Sequence, residues 1–137
     1  MSNTSNLKTQ FKHEADMPDF WRLVDSINWP ERDSAEIVRQ DLMKQLTPSA
    51  ALKYHRILYE LAQHLCAKFI EYAIENKEKY NAADAYFAAC NVVGGGRLNY
   101  QEFDKEIKYL ASEIESLDME CCFAQAIPTE DQYFYGA

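Results

Sequence analysis

Glycine and proline are scarce in this chain, with four of each among 137 residues. That scarcity excludes collagen-like and Pro-rich low-complexity polymers. Long apolar runs are missing as well. The longest stretch without a charge, Ala85 to Gly96, falls far short of the roughly 18 to 20 apolar residues a membrane helix needs. The first fifteen residues contain no apolar block, so no secretory leader is expected and the chain is expected in the cytoplasm. Cys66, Cys90, Cys121 and Cys122 never form the C-x-x-C spacing of a zinc site, and reduced thiols are expected for all four.

What is present is a chain that is 47% hydrophobic and 13% aromatic, of a length suited to one core. Twenty-two acids against fourteen bases give a formal net charge of -8. Such a surface opposes nucleic-acid phosphates and anionic lipid, so neither a nucleic acid nor a membrane is expected as partner.

Apolar spacing predicts an all-α single-domain bundle of about five helices, with a flexible polar arm over 1–15, the bundle over 16–118 and an acidic aromatic segment over 119–137 that docks on it or extends from it. Asp16 is read as the cap of a first helix carrying Phe20, Leu23, Val24 and Ile27 at steps of three and four, stopped by Pro30. Asp33 and Glu36 form a capping-box pattern for a second, made amphipathic by Ile37, Val38, Leu42, Met43 and Leu46. A third runs from Pro48 to about Asn76, with Tyr54, Leu58, Leu61, Leu65, Phe69 and Tyr72 as its stripe and a bend expected near Glu75. Residues Asn81 to Val93 leave almost no polar face, the mark of a central helix, and Gly94, Gly95 and Gly96 are expected to end it in left-handed conformations. Asn99 and Glu102 look like a capping pair for a fifth helix bearing Phe103, Ile107, Leu110, Ile114 and Leu117. Gln132 to Tyr135 is read as an extended end lying against the body.

Catalytic chemistry finds little footing. Asn91 to Phe103 resembles the second half of an EF-hand loop, with Gly96 at the turn and Glu102 at the last position. Asn91, Val93 and Gly95 at the first, third and fifth positions offer one side-chain oxygen, whereas calcium takes six to eight oxygens, so a metal-free turn is expected. Glu60 and His64, four apart on one helix face, match neither the Glu-x-x-His pairs of di-iron bundles nor the zinc-protease motif, and are read as a surface contact. Cys66 and Cys90 fall on apolar faces, where burial raises a thiol pKa. No catalytic residue, cofactor or metal is therefore assigned. One enzymatic or ligand-binding alternative survives beside the glycine turn, where Gly95, Gly96 and Arg97 at a helix start form a candidate anion site with Asn99, Tyr100 and Glu102 nearby.

The uneven charge distribution is more informative. Residues 1–110 hold sixteen acids and all fourteen bases, whereas residues 111–137 hold six acids and no base. The acids Asp118, Glu120, Glu130 and Asp131 stand with Tyr133, Phe134 and Tyr135, rings of the kind enriched at interface cores. These seven residues are the candidate partner-binding set, and the partner they imply is a basic protein. A docked chain end is the plainer alternative.

Two motifs carry a family resemblance. Phe20-Trp21-Arg22-Leu23-Val24-Asp25, and Ala88-Ala89-Cys90-Asn91-Val92-Val93-Gly94-Gly95 followed by Leu98-Asn99-Tyr100 and Phe103, resemble the bacterial domain-of-unknown-function family 4240. The resemblance covers about residues 18–117 and implies a small helical bacterial domain without an assigned activity. Gly96-Arg97 departs from the short polar step usual there, and the segment after Asp118 has no counterpart. The functional expectation is a non-catalytic module, in the manner of an acidic immunity or antitoxin-like protein that neutralises a basic toxin.

Overall fold

A computed structural model of the protein describes residues 14–29, 34–119 and 122–134. Every regular element among them is helical, as the periodicity predicts. A 3-10 turn, Glu14–Asp16, leads into α1 (Met17–Ile27), then α2 (Ala35–Gln45), α3 (Pro48–Glu75), α4 (Ala82–Gly94), α5 (Arg97–Lys105), a 3-10 turn Ile107–Tyr109, α6 (Leu110–Glu115), a 3-10 turn Phe123–Gln125 and α7 (Glu130–Phe134).

The long α3 is the backbone of the bundle. Pro48 fits its first turn, where an N–H has no partner to lose, and Thr47 Oγ1 accepts from Ala50 N at 3.1 Å. Its stripe of Leu58, Leu61, Leu65 and Phe69 is buried. The helix ends at Glu75 rather than bending there, and Lys77 turns the chain with φ 56°. Asn81 then caps α4 by accepting from Asp84 N at 3.0 Å. Helix α4 is central: Ala85, Ala88, Ala89, Cys90, Val92 and Val93 are all buried, and it packs on α3, α5, α6 and the Phe123 turn.

Several expectations need correction. Asp16 precedes α1 without a side-chain cap bond, α1 turns out at Asn28 with φ 54°, and α2 starts from Ser34; Pro30 and Asp33 lie outside the described residues. The fifth helix is two: Glu106, at φ -124° and ψ 70°, breaks it between α5 and the turn leading to α6. The break lets Leu110 bury completely, and nothing in the apolar repeat announces it. Asn99 is no cap, because its Nδ2 donates to Val92 O at 3.0 Å and α5 begins two residues earlier. Of the three glycines only Gly96 has a positive φ, 106°. Gly94 matters for closeness instead, since a Cβ there would lie 2.7 Å from Phe123 Cγ and 3.0 Å from Trp29 Cδ1. Residues 132–134 are helical, not extended.

The segment 122–128 belongs to the core. Cys122, Phe123, Ala126, Ile127 and Pro128 are buried. The Phe123 ring meets Trp29 edge-on with centroids 5.3 Å apart, and its N–H donates to Asn91 Oδ1 at 2.7 Å. Among the described residues no helix is long and apolar enough to cross a membrane.

Candidate functional site

The C-terminal acids divide by position. Glu115, Asp118 and Asp131 are exposed, and Glu113 is half-buried. Tyr133 is turned to the body, its hydroxyl donating to Leu46 O at 3.0 Å, so this ring docks α7 onto the residues just before α3. Glu130 and Phe134 are the end residues of α7. Glu120 and Tyr135 lie outside the described residues, as do residues 1–13 of the predicted arm.

A cleft of about 350 Å³ opens beside α6, lined by Phe69 of α3, by Glu78, Lys79, Tyr80 and Asn81 of the connection to α4, and by Ala111, Ile114 and Glu115 of α6. Its floor is apolar because Phe69, Ala111 and Ile114 are parts of the core or packed on it. Its rim carries two carboxylates and the 45% exposed Tyr80. Glu78 stands beside the Tyr72 hydroxyl, and its acceptor oxygen and negative charge, with desolvation, raise the tyrosine pKa.

A second polar cluster sits between α3 and α5. His64 Nε2 donates to Asp104 Oδ1 at 2.8 Å, and Lys68 Nζ reaches the same oxygen at 2.9 Å and also bonds to Asp104 O. The His64 bond, helped by Lys68 against partial burial, holds the Asp104 carboxyl down at about 2. His64 thus has a partner in Asp104, forty residues away in the chain. Beside the cluster, the Tyr100 hydroxyl and Glu60 Oε2 are buried without a hydrogen-bond partner among the described residues. Burial raises the Tyr100 pKa, and its ring packs between Trp21 at 5.8 Å and His64 at 6.4 Å. Cys66, Cys90 and Cys122 are free thiols whose pKa burial raises.

At the glycine turn the polar groups diverge. The Gly95 amide donates to Asn91 O and Val92 O, and the Gly96 amide to Val93 O at 3.0 Å, so both complete the end of α4. Arg97 is exposed, and Asp25 Oδ1 lies 3.5 Å from the place of a Cβ on Gly96. A carboxylate therefore already stands at the start of α5. Asn99 and Tyr100 turn inward while Glu102 faces solvent.

No protein-family model, no curated protein and no solved structure matches the chain. Sequence reading passed over Lys68 and Asp104, although His64–Lys68 and Tyr100–Asp104 each have the four-residue spacing that shares a helix face. It also passed over Glu78 and Tyr80. Their nearness to Glu115 arises from the fold of the 76–81 connection against α6, which no local pattern encodes.

Proposed function

We propose that the protein is a non-catalytic cytoplasmic binding module that docks a basic protein through its acidic C-terminal side, as an immunity or antitoxin-like protein neutralises a basic toxin. One observation carries this reading: the segment that holds six acids and no base is fastened to the bundle through Cys122, Phe123, Ala126, Ile127 and Pro128. A fastened segment presents its charges at set spacing and loses less conformational freedom on binding than a loose tail. Charge of one sign speeds encounter with a partner of the other. Kinship with family 4240, resting on the Phe-Trp and Gly-Gly motifs, belongs to the same proposal. The enzymatic alternative at the glycine turn is disfavoured by the divergence of Arg97, Asn99, Tyr100 and Glu102 described above.

The test is capture from the native host, using the full chain, a version ending at Pro128 and Asp118→Asn. The expected result is one basic partner whose association slows with salt and slows further in both altered forms. Equal affinity and equal salt dependence for all three would defeat the proposal.

A further inference from the structure

We infer that the cleft between the 76–81 connection and α6 is a receptor for an arginine side chain of the basic partner, an inference that rests on the binding reading above. At about 350 Å³ the cleft lies at the low end of ligand pockets, which run from roughly 300 to 1,000 Å³. That size suits one side chain better than a cofactor. Phe69, Ala111 and Ile114 provide an apolar bed for an aliphatic stem, and Glu78 and Glu115 stand on the rim.

The cationic character follows from what those groups lack. Among the described residues neither Glu78 nor Glu115 is ion-paired, and Lys79, on the same rim, pairs with neither. Tyr80 is 45% exposed and makes no aromatic pair among the described residues. Glu78 interacts with the Tyr72 hydroxyl but keeps its charge without an ion pair, as does Glu115, and two such carboxylates beside an exposed aromatic ring are complementary to a guanidinium, which stacks on a ring and bonds in two directions at once. A lysine ammonium is a compact point charge and uses less of this arrangement. Another apolar hollow, about 320 Å³ and lined by Glu102, Phe103, Lys105, Glu106 and Tyr109, is less suited, because Lys108 Nζ already sits 5.5 Å from the Tyr109 ring centre.

The test is titration of the full isotope-labelled chain with acetyl-Gly-Arg-Gly-amide, followed through backbone amide shifts. The lysine and citrulline tripeptides serve as the ammonium and the neutral isostere. Saturable shifts at residues 69, 78–81 and 111–115 are expected in the millimolar range, with arginine at least threefold tighter than lysine and citrulline weaker still. Glu78→Gln with Glu115→Gln, and separately Tyr80→Ala, should each weaken arginine at least fivefold; these side chains are exposed, and the amide spectrum itself reports that the fold is kept. Equal binding of citrulline, or no loss in the variants, would overturn the receptor. Shifts confined to the surroundings of Asp118 and Asp131 would also overturn it while leaving the acidic docking surface standing. Absence of any shift would overturn the receptor too, and the fate of the broader reading would then be decided by the capture experiment alone.

Discussion

Tyr100 is 8% exposed and keeps a hydroxyl without a partner among the described residues, a costly arrangement for a buried polar group. Replacing it with Phe preserves the ring packing against Trp21 and removes only that oxygen. Tyr100→Phe is expected to stabilise the fold by roughly 1 kcal/mol, read as a rise in urea midpoint at constant slope. A lower midpoint would mean that the hydroxyl is satisfied by water. Asp104 has the opposite character, a carboxylate held by the His64 ring and the Lys68 ammonium. Because its folded pKa, about 2, lies below the ordinary carboxylate range, its contribution is fully present above about pH 4 and is lost as pH falls from there towards 2. Its side chain is 34% exposed, so solvent screening holds the contribution to about 1 kcal/mol. The stability gap between the protein and Asp104→Asn should be open at pH 6 and closed near pH 2, and a gap constant across that range would refute the assignment.

Among the elements, α3 and α4 were legible from sequence because their signals are local: Pro after Thr47, Asn81 as a cap, and apolar spacing that a helix alone satisfies. The break at Glu106 was not legible, since no Gly or Pro marks it and the Phe103 to Leu117 repeat runs straight across it. It arises from long-range packing that draws Leu110 onto α4. The function of Gly94 was hidden for the same reason, as only the arrival of Phe123 from 29 residues away demands a missing side chain. The candidate site divides likewise. The acids after residue 110 were visible as composition, while the inward turn of Tyr133 and the cleft rim of Glu78, Tyr80 and Glu115 depend on tertiary contacts. The 122–128 segment should behave as a core element. Phe123→Ala should cost about 3 to 5 kcal/mol and Gly94→Ala about 1 to 3 kcal/mol in chemical denaturation, large parts of a typical total of about 5 to 15. A chain ending at Pro128 should unfold cooperatively near the full-length midpoint, whereas one ending at Asp118 should not fold. Cooperative folding of the shorter form would show that the segment is dispensable.

At the scale of the whole molecule, α3 sets the distance between functions. Its 28 residues span about 40 Å at 1.5 Å each. Tyr133 fastens α7, and with it Asp131, near the start of α3, whereas Phe69 and the 76–81 connection place the cleft at its far end. Salt at physiological strength screens charge over about 8 Å, a fifth of that span. Asp131 and the cleft carboxylates therefore mark two poles of the molecule, at opposite ends of α3 and beyond the reach of each other's charge in salt. Substitutions at Asp131 and at Glu115 should change binding free energy additively, within about 0.5 kcal/mol in a double-mutant cycle. Any larger coupling would have to be transmitted by a single rigid partner that bridges both poles, so the cycle also works as a ruler for the size of whatever docks.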